Sequence, residues 1–120
     1  MNDQKVKAAH YLEQQIQTSS PIERIIMLYD GAIRFLLKTK QAIEEGNIQE
    51  RCNNNQRAID IVCFLLDSVN LEQGDDAARS LYRIYGQILQ RLMDVNIENS
   101  VTPVEEVITH MKRLRSNWVE

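Results

Sequence analysis

The chain has 120 residues and a formal net charge of -3, from 14 basic and 17 acidic side chains, so it lacks the basic excess of a duplex-binding domain and no nucleic-acid partner is expected. A hydrophobic content of 43% supports one ordinary core, and two prolines with four glycines are too few to punctuate a many-stranded sheet, which favours long helices in a single domain. The longest strictly apolar run, Ile61 to Leu66, is too short to span a bilayer, and MNDQKVKAAHYLEQQ has no secretory-type apolar centre; cytosolic residence without stable membrane insertion is the expectation.

Residues 1–18 carry a weak pattern, with Val6, Tyr11 and Ile16 spaced to form a short helix or a strap on the rest. The first sharp signal is Ser20-Pro21-Ile22-Glu23, in which Ser20 suits an N-cap, Pro21 the first helical position and Glu23 a capping box. An apolar rhythm follows through Ile22, Ile25, Ile26, Tyr29, Ile33, Leu36, Leu37 and Ile43, a helical period that Gly46 ends. The second predicted helix begins near Asn47 or Ile48, with a core side of Ile48, Cys52, Asn55, Ile59, Val62, Cys63, Leu66 and Val69. NLEQGDD breaks it, Gly74 supplying the turn and Asp75 or Asp76 the next cap.

The third predicted helix carries Ala78, Leu81, Tyr82, Tyr85, Ile88, Leu89, Leu92 and Met93 and fades at NIENSV. A second sharp start then reads Thr102 as N-cap, Pro103 at the first helical position and Glu105 completing the box, with a stripe of Val104, Val107, Ile108, Met111, Leu114 and Trp118. Helices over about 21–45, 48–70, 75–97 and 103–118, with short connections, predict an all-α, antiparallel up-down four-helix bundle.

The apolar faces exceed what such a bundle buries. At 100° per residue, Leu28 and Phe35 lie roughly 100 to 140° from the main stripe of their helix and form a second seam with Ala32 between them. Ile61 and Phe64 likewise point away from the face centred on Ile59 and Leu66, and Ile84 widens the third helix. Burying a further Leu or Phe is worth about 1.5 to 3 kcal/mol, and leaving such groups wet invites association. The strap, a second subunit or a client chain would each cover them. Gly31 and Gly86, each costing about 1 kcal/mol against alanine, fit either close helix approach or room for an incoming group.

Catalytic chemistry is hard to place. His10 and His110 are the only histidines; His110 follows Glu106 by four residues, far short of a metal site. Cys52 and Cys63 sit about 16 Å apart along one helix, too far for a disulfide, and read as small buried hydrophobes. The basic run from His110 to Arg115 suits a solvated helix C-terminus. Asp30, Asp60 and Asp67 read as surface-edge or hydrogen-bonded groups, while Tyr29, Tyr82 and Tyr85 need partners for their hydroxyls.

From Tyr11 to Trp118 the chain resembles the FliS family of flagellar export chaperones. Its most specific parts are Leu28-Tyr29-Asp30-Gly31-Ala32, the Gly74 turn, Leu81 through Tyr85, and Leu114-Arg115 with Trp118. The resemblance implies a cytoplasmic helical bundle, not an enzyme, that holds flagellin before export. The client's disordered C-terminal segment would wrap the bundle, which prevents premature polymerisation. No cofactor, nucleotide or metal is implied, so release would come from competition at the export machinery, where an export gate component is a further partner. Tyr11 is the expected movable cover of the client groove. Leu28, Phe35, Ile61, Phe64, Leu65, Tyr82 and Ile84 are the expected client contacts, and a homodimer without client is a further expectation. Gly74-Asp75 in place of a glycine pair, and Gly86 in place of an aromatic or small polar residue, depart from the family's habit. Asn55, near the core side, reads as a register-setting polar residue or a water site. The alternative function is a structural or adaptor bundle that acts by self-association.

Overall fold

A computed structural model describes residues 20–69 and 76–119. The expected strap, with Tyr11, and the Gly74 turn lie outside the described residues. The described residues form four helices: α1 Pro21–Glu45, α2 Ile48–Asp67, α3 Asp76–Glu98 and α4 Val101–Ser116. No strand occurs among the described residues.

Local chemistry sets the boundaries. The Ser20 hydroxyl accepts from the Glu23 N–H at 3.1 Å, and Pro21 follows in the first turn, where a missing N–H costs nothing. At the other end Gly46 takes φ 71°, the left-handed conformation that a side chain resists. Its N–H reaches Ile43 O and that of Asn47 reaches Ala42 O, the paired closure of a Schellman turn. Asn47 then caps α2, its Oδ1 accepting from Glu50 N.

The start of α4 differs from expectation. Ser100, not Thr102, is the N-cap, and its hydroxyl accepts from Thr102 N at 3.2 Å. Pro103 therefore sits third in the helix rather than first. The placement is tolerated because the first turn's N–H groups have no helical acceptor. Asn99, at φ 49°, makes the reversal between α3 and α4.

The four helices pack as a ring, α1 on α2, α2 on α3, α3 on α4, and α4 back on α1. Cross-helix pairs fix their directions. Arg51 near the start of α2 donates to Asn99 just past α3, at 2.6 Å. Arg91 late in α3 pairs with Glu106 early in α4, and Arg115 at the end of α4 with Asp30 in α1. Neighbours are antiparallel, as an up-down bundle requires. The core holds Leu36, Val62, Ile88, Leu92, Val104 and Met111, all essentially solvent-free.

Several expected core residues lie outside. Ile22, Leu37, Ile48, Tyr82 and Met93 are exposed, because each stripe is wider than the strip its neighbours cover. Cys52 is also exposed and Cys63 only half-buried, so neither is the buried hydrophobe expected; both thiols are free. In exchange, Thr39, Arg51, Asn54 and Asn55 are buried. Thr39 satisfies its hydroxyl on Phe35 O, and Asn55 donates from Nδ2 to Leu92 O at 2.9 Å.

Candidate functional site: the seam between helices 1 and 2

The segment Leu28-Tyr29-Asp30-Gly31-Ala32 shows how one turn and a half serves the whole bundle. Successive side chains leave the helix about 100° apart, so each meets different surroundings. Tyr29 and Ala32 enter the core. Asp30 faces α4 and accepts from Arg115 Nε at 2.5 Å and from Nη2 at 3.4 Å, which raises the Arg115 pKa. Gly31 faces α2, where a Cβ would stand 3.4 Å from Ile61 Cδ1. Leu28 lines an outward-facing slot.

Tyr29 and Tyr85 join α1 to α3 across the centre, their hydroxyls 2.5 Å apart, and the Trp118 side chain lies near Tyr29. Burial raises both phenol pKa values; for Tyr29 the neighbouring Tyr85 and Trp118 side chains oppose part of that rise. Two of the three tyrosines expected near the core thus satisfy each other, while Tyr82 faces solvent.

The outer side of the α1–α2 contact forms a ladder. On α1 its residues are Arg24, Leu28, Gly31, Phe35, Lys38 and Ala42; on α2 they are Ser68, Phe64, Ile61, Arg57, Asn54 and Glu50. Spacings of three and four residues keep each set on one side of its helix. Because the helices are antiparallel, each step forward on α1 is matched by a step back on α2. Leu28 and Phe64 share the slot, Gly31 meets Ile61, and the Arg57 guanidinium stands 5.5 Å from the Phe35 ring centre.

The slot occupies one end of this seam, beside the start of α1 and the end of α2. It encloses about 550 Å³ between Pro21, Arg24, Ile25, Leu28, Phe64 and Leu65, with Ser68 at its edge. Phe64 is 61% exposed, a large cost for an aromatic ring with no cover among the described residues. Past the Gly31–Ile61 approach the seam opens again into a polar pocket of about 580 Å³. There Phe35 is flanked by Lys38 and Arg57, and Asn53, Asn54 and Glu50 form the far wall.

The structure thus gathers Leu28, Phe64 and Leu65 at the slot, and sets Ile61 and Phe35 farther along the same seam. Leu65 is itself buried and forms the slot's floor rather than a free surface. Tyr82 is exposed on α3, and Ile84 packs partly buried against the core about 200° round that helix, so those two do not share a face. Sequence reasoning missed Ile25, Arg24, Lys38 and Arg57. The heptad spacing of Arg57, Ile61 and Phe64 was a usable signal for Arg57, obscured by its charge.

A second exposed apolar strip runs along α3 through Tyr82, Met93 and Ile97. Among the described residues no group of three His, Cys, Asp or Glu side chains is placed to hold a metal ion, and no helix is long and apolar enough to cross a membrane.

Comparison with known proteins gives one answer. The family described as Flagellar protein FliS matches residues 3–120. The flagellar secretion chaperone FliS of Campylobacter jejuni is 33% identical over 110 residues, covering 92% of this chain and 86% of that protein. The protein of the same name in Vibrio cholerae is 28% identical over 107 residues, covering 89% of this chain and 79% of its own length. That of Bacillus subtilis is 27% identical over 108 residues, with 90% and 80% covered. The match extends through the Leu28–Ala32 segment that ties the bundle together and through the Leu28 and Phe64 slot beside it, and this chain belongs to the FliS family of flagellar proteins.

Proposed function

We propose that the α1–α2 seam is the place where this chain, as a flagellar export chaperone, holds its client. The chain binds flagellin, is a chaperone rather than an enzyme, and works in the cytoplasm with the export apparatus, as its family membership implies. The bound portion is the disordered C-terminal segment of flagellin, and covering it prevents premature polymerisation. An export gate component is the further partner that takes over the client.

The observation that carries this reading is the slot at Leu28 and Phe64. It is apolar, open, and large enough for a leucine- or phenylalanine-sized side chain, and it continues into a seam that runs about 27 Å from Arg24 to Ala42. A disordered segment loses entropy on docking, which a long apolar seam offsets by covering many side chains at once. Calorimetric titration with a peptide of about forty residues from the flagellin C-terminus should give one-to-one binding with a negative heat-capacity change. Phe64→Asp should weaken it at least tenfold. Undiminished binding by that variant would move the client elsewhere on the bundle.

The exposed strip of Tyr82, Met93 and Ile97 favours self-association as a second reading. Sedimentation of the free chain and of the client complex separates the two: a homodimer that survives client binding would support the second.

A further inference from the structure

Lys38 and Arg57 converge on one ring. The Lys38 Nζ lies 5.8 Å and the Arg57 Cζ 5.5 Å from the Phe35 centroid, at the mouth of the polar half of the seam. Among the described residues neither cation pairs with a carboxylate. The carboxylates that share the pocket, Glu45 and Glu50, stand toward its far end and each already accepts a side-chain amide, from Gln41 at 3.0 Å and from Asn54 at 3.2 Å. An aromatic face attracts a cation by about 0.5 to 1 kcal/mol at exposed sites but does not neutralise it. Two like charges held over one ring therefore leave positive potential directed at whatever enters the pocket.

That potential sits on the same ladder as the apolar slot. From the level of Leu28 to that of Phe35 is seven helical residues, about 10.5 Å. An extended polypeptide covers this distance in three to four residues. Between the two levels Ile61 closes on Gly31, so a chain following the seam must pass over the approach with backbone or a small side chain and place its larger groups on either side.

We propose that the Phe35 pocket receives an acidic side chain of the same client polypeptide, three or four residues from the apolar side chain that fills the Leu28–Phe64 slot. The Lys38 ammonium and the Arg57 guanidinium hold the carboxylate, and the Phe35 ring packs against its methylene carbons. The pair of pockets selects a client segment by spacing as well as by composition: a large apolar residue, a short extended step, then Asp or Glu. This rests on the seam being the client site, as argued above.

The test uses the full-length chain and the flagellin C-terminal peptide of about forty residues, in a set in which each Asp and Glu is changed singly to its amide. Lys38→Gln with Arg57→Gln should lower affinity about three- to tenfold and flatten its dependence on salt. One peptide amide should cause a comparable loss with the unmodified chaperone and none with the doubly neutralised one. Reversing the charge by Arg57→Glu, with lysine at that peptide position, should restore part of the binding. Both chaperone side chains lie at the surface of α1 and α2, so circular dichroism of the variants should match the parent. If Phe64→Asp abolishes binding while the Lys38 and Arg57 changes leave it untouched, the acidic contact is refuted and the apolar slot stands. If the tail binds equally well to all three variants, the seam itself is not the client site and both inferences fall.

Discussion

Replacing Tyr29 by phenylalanine should cost more than replacing Tyr85, although the two hydroxyls share one hydrogen bond. Both side chains are almost solvent-free, at 0% and 2% exposure. Tyr29 has two polar neighbours, Tyr85 across the core and the Trp118 indole beyond the end of α4, which oppose the rise that burial gives its pKa, whereas Tyr85 has Tyr29. Tyr85→Phe removes one net hydrogen bond and leaves the Tyr29 hydroxyl beside the indole, to which it can turn, a loss of about 1 kcal/mol. Tyr29→Phe strands the Tyr85 hydroxyl in the core, which brings the full penalty of an unsatisfied buried group, about 2 to 3 kcal/mol in all. With both changed, no hydroxyl is stranded, and the double variant should be less destabilised than Tyr29→Phe alone. The coupling energy should be about 1 to 2 kcal/mol. Urea denaturation, compared at constant m-value, measures all four corners of the cycle. Additive losses, or a Tyr85→Phe loss equal to that of Tyr29→Phe, would refute the idea that the Trp118 indole can replace Tyr85 as the partner of Tyr29.

The same pair predicts alkaline sensitivity. Both phenol pKa values are raised in the folded chain, so above about pH 10 the unfolded chain releases protons that the folded one keeps. Their contribution is complete below pH 10 and declines above it, for Tyr85 with a slope that approaches about 1.4 kcal/mol per pH unit; Tyr85→Phe should make the decline shallower in denaturation series from pH 9 to 11. Gly86→Ala should stabilise by about 1 kcal/mol, since a Cβ there meets nothing within 4 Å, and a lower denaturation midpoint would contradict this. Gly31→Leu should destabilise by about 1 to 3 kcal/mol because its side chain must displace Ile61. Gly46→Ala should cost about 1 kcal/mol through the left-handed φ of 71° alone, with no effect on client affinity.

Helix identity and the ends of α1 were legible because their signals are local. Ser20, Pro21 and Gly46 act on backbone groups within a few residues, and nothing distant overrides them. The start of α4 was read from Thr102, whereas Ser100, two residues earlier, is the cap, because the chain reverses at Asn99, which Arg51 from another helix holds. Core membership was legible at the centre of each stripe and failed at its edges. Ile48 and Met93 carry the right period, but no sequence pattern states how wide a neighbouring helix is. The apolar half of the seam could be anticipated because Leu28 and Phe64 break their own helices' stripes. Its polar half could not: Phe35 signals only an extra aromatic, and its meeting with Arg57 depends on the relative register of two antiparallel helices. Buried Asn55 was visible as an oddity, yet its partner is a main-chain carbonyl on α3, where no residue type marks the position.

The close approach of Ile61 to Gly31 also bears on how quickly a passenger could leave. For a client seated on the seam as proposed, it would divide one long contact into two shorter ones, each weaker than the whole. A polypeptide lying across both stays bound through high local concentration, because one loosened anchor is recaptured while the other holds. A competitor that seizes the loosened end converts that reversible flicker into progressive peeling. Handover of a client so seated would cross two small barriers rather than one large one, which would make firm retention compatible with rapid discharge.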